Sequence, residues 1–138
     1  MEKRVLNQKL DNLRNCTLRI EGKLPLTDNE LSINFDVQDI ISVNLERSVQ
    51  SCIDIASHIS SDFDDVSGLS AGNLFLELIA KKVLSQETAQ GMVKAVGFRN
   101  LLVHRYAAID WARVQQSLLK DLGLFRQFAG EIARFCNL

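Results

Sequence analysis

An all-α fold, an antiparallel up-and-down bundle of about five helices, is what three observations predict for this chain. Apolar residues recur at three- and four-residue steps along most of the sequence, the period of an amphipathic helix. One proline and seven glycines interrupt 138 residues, and β-branched residues rarely alternate with polar ones. The gaps between periodic stretches are short, which makes successive helices antiparallel neighbours. A chain of this length forms one domain with a real core, residues 1–138, and no internal repeat or linker divides it.

The elements follow in order. Residues 3 to 22 form the first helix, on an apolar stripe of Val5, Leu6, Leu10, Leu13, Cys16, Thr17 and Ile20, with Gly22 as its stop. Leu24-Pro25-Leu26 makes a bend, and Thr27-Asp28-Asn29-Glu30 is a capping-box pattern that starts a short helical turn. A long helix spans residues 35 to 59. Val37, Ile40, Ile41, Leu45, Val49, Cys52, Ile53, Ala56 and Ile59 line one face, and Asp36, Asp39, Asn44, Glu46, Arg47, Asp54 and His58 occupy the other. Asp54 and His58 are spaced to pair on that face, although a helix-end role suits His58 better. Residues 60 to 72 are a solvated loop. Its Asp62, Asp64 and Asp65 lack the glycine and closing glutamate of a calcium loop. Ser70 or Asn73 caps a helix over residues 74 to 84, and Ser85 caps one that runs to about Arg105. Gly91 and Gly97 each cost that helix about 1 kcal/mol against alanine. Gly97 beside Arg99 therefore suggests a crowded site. Asp110 caps the last helix, whose Trp111, Val114, Leu118, Leu119, Leu122, Phe125, Phe128 and Ile132 face inward.

Composition narrows the function. Net charge is −1 and the sequence pI is near 6.1, so nothing in the bulk charge points to a nucleic acid. Any RNA would have to be held by a local basic patch or a dimer groove. Cys16, Cys52 and Cys136 are odd in number and far apart, which reads as buried reduced thiols rather than a metal cluster. No apolar run is long enough for a membrane span, and Met1-Glu2-Lys3-Arg4 leads into no signal-peptide core, so the expected place is the cytoplasm.

The chemistry gathers in residues 97 to 106, Gly97-Phe98-Arg99-Asn100-Leu101-Leu102-Val103-His104-Arg105-Tyr106, which hold one of two histidines and the single tyrosine. On a helix, Arg99 and Tyr106 share a stripe with Val103 between them, and Asn100 and His104 form a second stripe about 120–140° away. The residues alone leave two readings open. The segment is either a polar helix terminus, where histidine and arginine face the negative end of the dipole, or a site.

Arg99-x4-His104-x-Tyr106, preceded by Gly97-Phe98, resembles the signature of HEPN-domain ribonucleases. More narrowly, it resembles the HepT toxins of HepT/MntA toxin–antitoxin systems. Asp54-Ile55-Ala56-Ser57-His58 and Leu74-Phe75-Leu76-Glu77-Leu78 look like other helices of that family. The resemblance implies a cytoplasmic, HEPN-like homodimer in which two copies of the motif meet across a two-fold axis. It implies Arg99 and His104 as catalytic, with Asn100 and Tyr106 supporting. It further implies cutting of transfer or messenger RNA without metal or cofactor, and silencing of this type VII-like toxin by an MntA-type nucleotidyltransferase antitoxin that adenylylates Tyr106. RNA suits so small a site because its 2′-OH is a built-in nucleophile. An imidazole can move the proton at neutral pH, and a guanidinium can hold the phosphate as its charge grows. The alternative is a non-catalytic substrate-binding or regulatory subunit of a small nucleotidyltransferase.

Overall fold

The computed structural model describes residues 2–63 and 65–138, so Asp64 of the acidic loop lies outside the described residues. Six α-helices are described: α1 (Lys3–Glu21), α2 (Glu30–Ile33), α3 (Phe35–Ser60), α4 (Ala71–Ala80), α5 (Gln86–His104) and α6 (Trp111–Cys136). A 3-10 turn, Tyr106–Ala108, joins the last two. The expected bundle is the observed one, with α2 as the short extra turn.

α3 is the central element and packs against every other α-helix. Ile41, Leu45, Val49, Cys52, Ile55, Ala56 and Ile59 project from it into the core. They meet Leu6, Leu13 and Ile20 of α1, Phe75 and Leu78 of α4, and Leu122, Phe125 and Phe128 of α6 within one buried cluster. Phe75 and Phe128 meet edge to face at 5.9 Å, a geometry that adds about 1 kcal/mol to the area they bury. Asn44 departs from the expected polar face. It is buried, donating from Nδ2 to the Ile40 carbonyl at 2.7 Å, while its Oδ1 has no partner.

Side-chain caps set most of the helix starts. Asn34, Ser70, Ser85 and Asp110 accept from the backbone amides of Val37, Asn73, Thr88 and Arg113, which decides for Ser70 over Asn73 at α4. At α2 the capping box forms by half. Glu30 Oε1 accepts from the Thr27 amide at 2.9 Å, but the N-cap is Asn29, in the left-handed region at φ 58°. Gln115 of α6 holds this turn by donating to the Thr27 carbonyl and accepting from the Leu31 amide.

α4 begins earlier and ends earlier than its periodicity suggests. Lys82 turns the chain at φ 59°, yet Val83 and Leu84 stay buried beyond the helix end and carry the apolar rhythm on. The polar loop is also less free than its composition implies. Phe63 lies against Phe135 at 6.2 Å, with the Lys81 ammonium 5.4 Å from its ring centre, and Asp65 accepts from the Ser67 amide. All three cysteines are buried and none is in a disulfide, as expected. Among the described residues, no helix is long and apolar enough to cross a membrane.

Candidate active site

The motif lies at the end of α5, and both ends of that helix are fixed. At its start, the Glu131 carboxylate from α6 accepts from the Ser85 amide and hydroxyl and from the Thr88 hydroxyl. Ala89, Met92 and Leu102 hold its inner face in the core. α5 runs antiparallel to α3: Arg99 reaches Gln50, and Tyr106 reaches back to Gln38.

Arg99 is half-buried and has no carboxylate partner among the described residues. Its Nη2 donates to Gln50 Oε1 at 2.8 Å and its Nη1 to Asn100 Oδ1 at 3.3 Å, while its Nε is buried without a partner. Gln50 in turn donates from Nε2 to Asp54 Oδ1 at 2.9 Å. The guanidinium is thus positioned by neutral amides, one of which is itself bonded to an acid, Asp54. The guanidinium charge remains available to an anion. Asp54 serves this relay rather than His58, to which no hydrogen bond or ion pair joins it. His58 is in the last turn of α3, as a helix-end role requires.

His104 is the last residue of α5 and is exposed. Arg105 leaves the helix at φ −140° and ψ 48°, and Tyr106 opens the 3-10 turn. The expected helical stripe of Arg99 and Tyr106 is therefore corrected. Tertiary contacts outweigh the local periodicity, since the Tyr106 ring packs 5.3 Å from Trp111 and its hydroxyl donates to Gln38 Oε1 at 2.9 Å. Asp39 Oδ1 lies 3.3 Å from the same hydroxyl. Gln38 and Gln50 are twelve residues apart on α3, about 18 Å along its axis, so the guanidinium and the phenol address different stretches of that helix. Asn100 contacts Arg99 and makes no bond to His104.

Burial raises the Tyr106 hydroxyl above the usual tyrosine pKa, the Asp39 charge adds to this, and the Ser42 hydroxyl opposes it. The group is held as a neutral phenol. Gly97 is not crowded: a Cβ there would meet nothing within 4 Å. The tight glycine is Gly91, where a Cβ would stand 2.8 Å from Leu124 Cδ1 of α6.

The residues that sequence reasoning missed are Gln38 and Gln50. The four-residue step from Gln50 to Asp54 on one face of α3 was a local signal for half of the relay. Nothing local links Gln50 to Arg99, 49 residues away.

A helical bundle that leaves an uncompensated guanidinium, an exposed imidazole and a tethered phenol at one helix end belongs to the class of small helical proteins with a polar site at a helix terminus. Residues 13–132 match the family described as Ribonuclease HepT-like, and the chain belongs to that family. It is 27% identical over 124 residues to the mRNA nuclease HepT of Shewanella oneidensis, covering 90% of this chain and 92% of that protein. To the tRNA nuclease HepT of Aphanizomenon flos-aquae it is 35% identical over 83 residues, 60% of this chain and 56% of that one. Among solved structures, it resembles the tri-AMPylated Shewanella oneidensis HEPN toxin in complex with MNT antitoxin. The TM-score is 0.85 at 26% identity, over 97% of this chain and 99% of that one.

Proposed function

We propose that this protein is the toxin of a toxin–antitoxin pair, a metal-independent endoribonuclease whose site is completed when two copies of the motif meet across a two-fold axis. One observation carries the reading: Arg99 is fixed by Gln50, yet its guanidinium is left without a carboxylate, on the same helix as an exposed His104. Arg99 and His104 stand about 140° apart around α5, and a second copy of the helix, as in the family's dimers, would bring cation and imidazole onto one phosphate.

In the reaction the RNA 2′-oxygen loses its proton to an imidazole and forms a bond to phosphorus. The bond from phosphorus to the 5′-oxygen breaks, and that oxygen receives a proton. The products are a 2′,3′-cyclic phosphate and a 5′-hydroxyl. Arg99 holds the non-bridging oxygens as their charge rises, and Asn100 limits the swing of its fork. Either transfer or messenger RNA is compatible with this chemistry, and both kinds of nuclease occur among the relatives by name.

Silencing follows at Tyr106. A nucleotidyltransferase antitoxin joins the tyrosine oxygen to the α-phosphorus of ATP and pyrophosphate leaves. The added AMP brings negative charge and bulk beside the site. The AMPylated toxin among the structural neighbours supports this assignment.

The test is incubation of the purified protein with end-labelled total RNA in excess EDTA, beside Arg99→Ala and His104→Ala. Wild type is expected to give cyclic-phosphate ends, and each variant to lose cleavage by at least about a hundredfold with its helicity intact. Full activity in either variant would overturn the site. An inert, unmodified wild type that binds a nucleotidyltransferase tightly would favour the regulatory-subunit reading.

A further inference from the structure

Between α1 and α3 lies an open groove of about 360 Å3. Asn12, Asn15 and Arg19 line it from α1, and Arg47, Gln50 and Ser51 from α3. No carboxylate is among its lining residues, in a chain whose 17 acids outnumber its 16 lysines and arginines. Arg19 and Arg47 are exposed, and neither has a hydrogen-bond or ion-pair partner among the described residues. Their charges converge on Cys16 in the groove wall: burial raises that thiol, and Arg19 and Arg47 both pull it down. The groove is also joined to the motif, because Gln50 lines it while holding the Arg99 guanidinium at 2.8 Å.

We propose that this groove is an RNA-backbone subsite, in which Arg19 and Arg47 hold phosphates of the strand flanking the phosphate at Arg99. Asn12, Asn15 and Ser51 face the sugar and phosphate oxygens, and no base is read. The occupant is single-stranded RNA, since a locally uncompensated pair of cations beside the cutting site matches a phosphodiester chain. The inference rests on the ribonuclease reading and extends it. It also answers the objection from charge: a chain of net charge −1 needs its cations concentrated where the strand lies.

The experiment measures binding of a fluorescent single-stranded oligoribonucleotide by anisotropy across a salt series. It uses the full chain carrying His104→Ala so that no cleavage intervenes. Adding Arg19→Ala and Arg47→Ala is expected to lower affinity about tenfold. The same pair should flatten the slope of log affinity against log salt by about 1.4, because each phosphate of a single strand left unneutralised removes about 0.7. Arg19→Lys with Arg47→Lys keeps the point charges and is expected to keep most of the slope, which separates an effect of charge from an effect on folding. Unchanged affinity and slope in the alanine pair, with wild type still cutting, would overturn the groove and leave the ribonuclease reading standing. Wild type that neither binds nor cuts RNA would overturn both. Loss of self-association or of antitoxin binding in the alanine pair, at unchanged RNA affinity, would assign the groove to a protein surface and overturn the proposal.

Discussion

Buried polar groups are ordinarily paired, and the half-buried Arg99, whose Nε is buried without a partner, is an exception whose surroundings make the exception useful. Amide oxygens from Gln50 and Asn100 fix the plane of its guanidinium without cancelling its charge. Replacing Gln50 by an acid would fix it equally well and neutralise it. Tyr106 is the complementary case, a neutral phenol whose proton is shared with Gln38 and Asp39. Tyr106→Phe is expected to keep RNA cleavage, to lose about 1 kcal/mol of stability with those bonds, and to take up no AMP. Intact-mass analysis after incubation with the antitoxin and ATP checks this, and AMP on the phenylalanine variant would move the acceptor elsewhere. Beyond the four-residue step from Gln50 to Asp54, the amide partners were not legible in the sequence. Glutamine has no distinctive periodicity on a polar helix face, and the bonds it makes here depend on how α3 and α5 come together.

At the scale of the element, α5 presents the motif from a helix anchored at its far end by Glu131. Burial pushes the Glu131 carboxyl up, but hydrogen bonds from Thr88, the Ser85 amide and hydroxyl, and Gln127 outweigh that and hold it below the usual glutamate value. A carboxyl lowered in the folded state contributes stability that is present above its ordinary pKa of 4.5 and lost as pH falls through the folded value. Glu131→Gln is therefore expected to cost about 2 kcal/mol near neutral pH and less in acid, read from urea unfolding at the two pH values. An equal loss at both would place the contribution in packing instead. The helices themselves were readable because burial imposes its period on the sequence, as along Ile41, Leu45, Val49, Cys52 and Ala56. Their ends were less so. Val83 and Leu84 keep the apolar rhythm after α4 has stopped, and Tyr106 keeps the motif's rhythm after α5 has given way to a turn held by Trp111.

For the whole molecule, the separation of Arg99 and His104 around one helix makes a sharp prediction about assembly. Leu101 and Val103 on the motif helix and Val43 on α3 are each about two-fifths exposed, apolar surface that a second copy would cover on the proposed reading. If cation and imidazole come from different protomers of the proposed dimer, mixing the inactive Arg99→Ala and His104→Ala proteins regenerates one intact site per mixed dimer. Partial recovery of cleavage after co-refolding is the expected outcome. No recovery, with mixed dimers verified by native mass spectrometry, would place both groups of each site on one chain.

The turn at Arg105 divides the motif into two heritable parts. Tyr106 is held from the 3-10 turn by Trp111 and Gln38, whereas Arg99 and His104 are carried by α5 itself, so a change in the segment from 105 to 110 would act on the phenol first. On the proposed reading, a lineage can thereby adjust how readily its poison is disarmed without altering the blade.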